Sequence, residues 1–252
     1  MSNRGVLYVC WGQGVERELQ ASIRSVQENT CLPYHVVRLT DAKHHAAKTA
    51  MYEASPFDVT LFLDTDTVAL ADLSLGFRLA ERFDIAVSLA PACFADRWPI
   101  NDEETIEYNT GVLFFRKCKK NRAFFAAWGQ NAEAFPYSDQ ASFAKTVVEC
   151  GISPAALPPN FNYRGSMAAR PVFGQIKVWH SREEIPINIR EWNSQTEYKF
   201  GEIVQDRDKP VIVPHGVIPV HIRADLMACL RRIVHLLAAA FRAGLSRFRR
   251  AN

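Results

Sequence analysis

Val59-Thr60-Leu61-Phe62-Leu63-Asp64-Thr65-Asp66-Thr67-Val68 decides how this chain is read. Its first five residues are apolar or β-branched, as in a strand buried on both faces, and the run ends directly in two carboxylates. Open α/β sheets bind ligands at the carboxyl ends of their strands, so Asp64 and Asp66 stand where a ligand site is expected. Alternation along the strand sends both to one side and points Thr65 away. One hard divalent cation could then be reached by both, and such a cation neutralises the concentrated charge of a diphosphate. Taken alone, the triplet reads equally well as a polar strand exit, because carboxylates favour turns.

On either side of this stretch, short β-branched runs at residues 6–10, 34–39, 85–89 and 111–115 read as further strands. Between them lie helical patterns. Val15, Leu19, Ile23 and Val26 recur at helical spacing after Gly14, residues 43–53 suggest a second helix stopping before Pro56, and residues 124–134 suggest a third. Ser138 can cap a helix that ends at Gly151. Strands alternating with helices imply right-handed crossovers and a mainly parallel sheet. Residues 154–173 are rich in Pro, Asn and Gly, and residues 181–210 are polar and weakly periodic, with strand candidates at 176–179 and 211–213. This half reads as loop-rich, completing a cleft.

A chain of 252 residues with 48% hydrophobic content can fill one large α/β core. The six cysteines form no C-x-x-C pair and most sit among apolar residues, which fits core fillers in a reducing compartment. No basic leader with an apolar run precedes the first strand, so the expected location is cytoplasmic. Net charge is +3, unevenly spread: residues 222–252 hold seven arginines against Asp225, a balance of +6 that leaves the rest at −3. A mildly acidic body argues against a nucleic-acid partner. Taken as a helix, Leu226, Leu230, Ile233, Val234, Leu237, Phe241, Leu245 and Phe248 fall in an arc of roughly 120°. Arg231, Arg232, His235, Arg242, Arg249 and Arg250 share a separate arc of about 100°. Such a helix can lie on an anionic membrane surface, here the inner face of the plasma membrane, or pack its apolar face on the domain.

Trp11-Gly12-Gln13-Gly14 after the first strand is half of a dinucleotide fingerprint, but Arg17 stands where its third glycine belongs, which excludes a Rossmann dehydrogenase. Taken in order, several segments instead resemble the GT-A-type nucleotide-sugar transferases, especially glycosyltransferase family eight and its relatives. They are Tyr8-Val9-Cys10-Trp11-Gly12, Thr40-Asp41, Lys48, the Asp64-Thr65-Asp66 triplet, Glu107-Tyr108-Asn109-Thr110-Gly111, Ser138-Asp139-Gln140, Leu157-Pro158-Pro159-Asn160-Phe161-Asn162-Tyr163-Arg164 and Lys177-Val178-Trp179-His180. The resemblance covers roughly residues 6–180, and the order of the short motifs carries it.

The resemblance implies that Asp64, Asp66 and His180 ligate Mn²⁺ or Mg²⁺, and that Asn109 and Asp139 hold the donor sugar with Gln140 near its anomeric carbon. It places Cys10, Trp11, Gly12, Asp41, Lys48, Thr65, Gly111 and Asn162 around the nucleotide and diphosphate. Each assignment has a plainer rival. Asp139 suits the first turn of any helix, Asn109 suits a turn before Gly111, and Lys48 suits a solvated helix face. His215 competes with His180 as the ligand. A mixed oxygen and imidazole set tolerates Mn²⁺ better than Mg²⁺.

The expected fold is therefore α/β, a GT-A-type, Rossmann-like mixed sheet with helices on both faces, over residues 1–221, followed by a basic amphipathic tail at 222–252. The expected reaction is metal-dependent transfer of a hexose from a nucleoside-diphosphate sugar, with UDP as carrier, to a glycan or glycolipid acceptor, retaining anomeric configuration. A nucleotide-sugar or carbohydrate-binding module without turnover is the alternative on the same fold.

Overall fold

The computed structural model describes residues 2–12, 14–40, 45–90, 106–135, 138–165, 170–195, 199–206 and 209–217. In chain order the first half contains β1 (Arg4–Trp11), α1 (Glu16–Asn29), β2 (Tyr34–Leu39), a 3-10 turn (His45–Ala50) running into α2 (Met51–Ala54), β3 (Val59–Leu63), β4 (Thr67–Ala69), α3 (Ser74–Phe83) and β5 (Ile85–Leu89). The second half contains β6 (Tyr108–Arg116), α4 (Lys119–Ala132), α5 (Asp139–Glu149), β7 (Ala155–Leu157), a 3-10 turn (Pro159–Asn162), β8 (Arg170–Phe173), β9 (Val178–His180), α6 (Ile189–Ser194), β10 (Lys199–Asp206) and β11 (Lys209–Val217).

A six-stranded sheet runs in the order β2-β1-β3-β6-β5-β7. β1 pairs parallel with β2 and β3, and β5 pairs parallel with β7, whereas β6 is antiparallel to both of its neighbours. Five strands thus share one direction and β6 opposes them, which makes the sheet mixed rather than simply parallel. The reversal matters for the site. It brings the N-terminal residues of β6 to the same edge as the carboxyl ends of β1 and β3.

All five residues of β3 are buried, as are residues 5–10 of β1, because helices cover both faces. Period-two alternation divides β1 between two cores: Val6, Tyr8 and Cys10 pack with Leu19, Ile23 and Val26 of α1 and with Phe77 and Ala80 of α3. Leu7 and Val9 face the other way, toward Met51 and Tyr52 of α2, Phe124, Phe125 and Trp128 of α4, and Phe143 and Val147 of α5. A third apolar cluster joins Tyr163, Val172, Ile176, Trp179, Ile189, Trp192, Ile203 and Ile212. It underlies a three-stranded antiparallel sheet, β11-β10-β8, and the two-stranded ladder β4-β9.

Several sequence expectations shift. The helix expected at 43–53 is, in its described part, a 3-10 turn followed by one α-helical turn. The helix expected at 124–134 begins at Lys119, where Cys118 Sγ accepts the Asn121 backbone N–H. α3 was not anticipated, and the polar stretch read as loop contains α6 and β10. Of the described cysteines, Cys10 is buried but Cys31 and Cys150 are exposed, so only Cys10 behaves as a core filler. No helix among the described residues is long and apolar enough to cross a membrane. The tail at 222–252 lies outside the described residues.

Candidate active site

A cleft of about 340 Å³ opens at the carboxyl edge of the central sheet. β1 contributes Val9, Cys10 and Trp11, the segment after β3 contributes Asp64, Thr65 and Asp66, and β6 contributes Asn109 and Thr110. Lys48 comes from the first 3-10 turn, Asp139 and Gln140 from the start of α5, and Arg164, His180 and Arg182 from the second half.

The two carboxylates do not continue the strand. Thr67 N–H donates to the Asp64 carbonyl at 3.3 Å and Thr67 Oγ1 to the same oxygen at 2.7 Å, closing a turn over residues 64–67. The turn, rather than strand alternation, brings Asp64 and Asp66 together, and Thr65 lines the cleft instead of pointing away. β4 then leaves the turn and pairs antiparallel with β9, setting Thr67 opposite His180. This short ladder delivers the histidine: its Nε2 lies 3.3 Å from Asp66 Oδ1 and 3.7 Å from Asp64 Oδ2.

One ligand atom from each of Asp64, Asp66 and His180 lies within 4.8 Å of the others. Behind them sits Gly111, where an added Cβ would strike the His180 ring and come within 2.6 Å of Asp64 Oδ2. Between Val87 and Ser88 the β5–β6 pairing slips from Leu113 to Asn109. Such irregularities bend a strand and re-aim its side chains beside functional sites. His180 is nearly buried, and its Nδ1 lies 2.7 Å from Asn162 Oδ1. The Asn162 amide nitrogen donates to the Asn109 carbonyl at 3.1 Å and to Asn109 Oδ1 at 2.9 Å. Asn162 Oδ1 is therefore an acceptor, which assigns the imidazole proton to Nδ1 and leaves the Nε2 lone pair facing the carboxylates. Two carboxylates and an oriented imidazole fit a divalent cation of the manganese or magnesium class.

Beside this group runs a buried charge network. Lys48 Nζ lies 2.9 Å from Asp64 Oδ1 and 2.7 Å from Asp139 Oδ2, and Thr110 Oγ1 donates to the same Asp139 oxygen. Burial pulls the Lys48 amine down, but the two carboxylates more than offset it, raise its pKa and keep it an ammonium. The solvated reading of Lys48 does not hold: it is 4% exposed. At the start of α5, Ser138 caps the helix by accepting the Ala141 N–H. Beside it, Gln140 lines the cleft and donates to Glu107 Oε1 at 2.7 Å.

Of the residues singled out from sequence, Cys10, Trp11, Lys48, Asp64, Thr65, Asp66, Asn109, Asp139, Gln140 and His180 line one cleft. Gly111 and Asn162 stand behind its wall, and Gly12 takes a φ of 80° in the loop after β1. Asp41 lies outside the described residues, as does the side chain of His215 on β11. Arg164, Arg182, Thr110 and Glu107 had no individual role in the sequence reading; their partners sit far away along the chain.

No protein-family model matches the chain, and no curated protein does. Among solved structures it is similar to the galactosyltransferase LgtC in complex with donor and acceptor sugar analogs, at 14% identity and TM-score 0.53 over 71% of this chain and 87% of that one. It is similar to the apo form of the glycosyltransferase GlyE of Streptococcus pneumoniae TIGR4, at 13% identity and TM-score 0.51 over 78% of this chain. The chain spans only 57% of the length of that GlyE chain. Mouse xyloside xylosyltransferase 1 in its apo form is also similar, at 12% identity and TM-score 0.50 over 73% of this chain and 99% of that one. The mixed sheet with helices on both faces is the GT-A fold.

Proposed function

We propose that this GT-A chain is a metal-dependent glycosyltransferase that moves a hexose from a nucleoside-diphosphate sugar, with UDP as carrier, to a glycan or glycolipid acceptor with retention. The observation that carries this reading is the meeting of Asp64, Asp66 and the Nε2 of His180 beside the close approach that Gly111 permits, at the carboxyl edge of the sheet. Mn²⁺ or Mg²⁺ held there would neutralise charge on the departing diphosphate. The chain's own residues supply orientation. Asn162 fixes the His180 tautomer and Asn109 fixes Asn162 in turn. Lys48 and Thr110 hold Asp139 at the cleft wall, and Glu107 holds Gln140. These two α5 side chains and Asn109 are assigned to the sugar, where fixed hydrogen-bonding groups position the reacting carbon without reorganisation cost. Cys10, Trp11 and Gly12 are assigned to the nucleotide side.

The test is release of free UDP from UDP-glucose or UDP-galactose by the purified chain with Mn²⁺. The expected outcome is release that depends on the metal and vanishes in Asp66→Ala, with the variant's circular dichroism unchanged. Silence across a panel of nucleotide sugars would favour a binding module instead. Turnover surviving in EDTA would point to two-carboxylate glycoside hydrolysis.

A further inference from the structure

Arg164 stands among the metal-type residues as a cation of the chain's own. Its Nη1 lies 2.8 Å from His180 Nε2. Because Nδ1 carries the imidazole proton toward Asn162, the guanidinium is the donor in this contact and the Nε2 lone pair is the acceptor. An sp² nitrogen has one lone pair. It can accept the arginine N–H or bind a metal ion, but not both. The guanidinium stays charged at any physiological pH, so its fit beside two carboxylates and an imidazole is electrostatic as well as geometric. Yet the fit is incomplete: Arg164 Nε is buried with no hydrogen-bond partner. An orphaned buried donor carries an unrecovered desolvation penalty, which marks a position the side chain would leave for a better acceptor. Arg164 also lines the cleft, so an anion bound there lies in its reach.

We propose that Arg164 is an internal stand-in for the metal: its guanidinium occupies His180 Nε2 in the metal-free chain, and metal binding displaces it toward the phosphate oxygens of the donor. The second half rests on the nucleotide-sugar reading above; the first does not. The exchange couples the two ligands. Cation entry at the carboxylates releases a planar, bidentate anion clamp, and a guanidinium engaged with phosphate no longer competes for the histidine.

The test is calorimetry on the full chain, titrating MnCl₂ alone and then UDP at saturating Mn²⁺, for wild type, Arg164→Met and Arg182→Gln. Arg164→Met is expected to bind Mn²⁺ about tenfold more tightly, because a charge-assisted competitor is gone. It is expected to bind UDP about tenfold more weakly, because the clamp is gone. Opposite signs are the signature, since a merely structural role would weaken both. Arg182→Gln removes the same charge from the same cleft without touching His180, and its manganese affinity should move far less. Equal tightening in Arg182→Gln, or unchanged or weaker Mn²⁺ binding in Arg164→Met, would overturn the competition while leaving the proposed activity standing. Tighter manganese with unaltered UDP binding would overturn the transfer to phosphate. If none of the three proteins binds Mn²⁺, the metal-dependent function itself falls. Arg164→Gln repeats both titrations should methionine impair folding.

Discussion

A methyl group on Gly111 would lie 2.6 Å from Asp64 Oδ2 and against the imidazole of His180, so Gly111→Ala must move one ligand or the other. We expect Mn²⁺ affinity to fall about 10- to 100-fold, the range seen when groups supporting a metal ligand are disturbed, with little change in Tm. Calorimetry with manganese checks the first expectation and a thermal melt the second. Lys48 predicts the reverse balance. Removing its ammonium in Lys48→Met leaves Asp64 and Asp139 uncompensated, and breaking a buried pair from one side costs about 3–5 kcal/mol. Urea unfolding should therefore show a large loss of stability, and a loss under about 1 kcal/mol would mean the network is solvated in solution. At this scale the carboxylates, Asn109, Asp139 and His180 were legible because each sits in a short local pattern. Arg164 and Glu107 were not: their partners lie 16 and 33 residues away, and no local pattern encodes such a contact.

Helix α5 begins at Asp139 with Ser138 as its cap, and its first two residues face the cleft, so the cap secures the site as well as the helix. Ser138→Ala should cost about 1 kcal/mol in denaturant unfolding. Asp84, between α3 and β5, has a φ of 71°, and its carboxylate accepts Arg116 Nε at 2.6 Å. Burial pushes this carboxyl up, but the Arg116 hydrogen bond and charge outweigh it and hold the pKa below the ordinary aspartate value. A depressed folded-state pKa contributes stability above the unfolded value of about 3.9 and loses it as pH falls through the folded value. Asp84→Asn keeps the shape and removes the charge. It should melt below wild type at neutral pH, with the gap closing only as pH drops under about 4. A gap independent of pH would assign the effect to the turn rather than the ion pair. The strands of the central sheet were readable because buried strands are continuous apolar runs, β3 above all. α3 was not: Gly76 interrupts its pattern, and that glycine is needed because a Cβ there would strike the Phe114 ring. β10 was missed for another reason. Residues 199–206 mix Lys, Glu, Gln and Asp with apolar residues, and what makes them a strand is pairing with β8 and β11, which no single segment reveals.

Among the described residues, those that line the cleft fall between Val9 and Arg182, and the members of the three apolar clusters fall between residues 6 and 212. The chain also carries, outside the described residues, the arginine-rich segment 222–252, whose own sequence pattern calls for a partner. Its body carries a net charge of −3 and its tail +6, so an anionic surface would attract one end of the molecule while repelling the rest. Arginines near such a surface contribute about 1 kcal/mol each, and the apolar arc adds burial in the lipid boundary. Deleting residues 224–252 is therefore expected to abolish co-sedimentation with phosphatidylserine-containing liposomes while leaving UDP release from a nucleotide sugar unchanged in solution. In the intact chain, added salt should weaken sedimentation without eliminating it, because screening acts on the arginines and not on the apolar arc. Sedimentation that persists after the deletion would locate lipid affinity in the catalytic body. Loss of UDP release together with lipid binding would show instead that the apolar arc packs on the domain and completes its core.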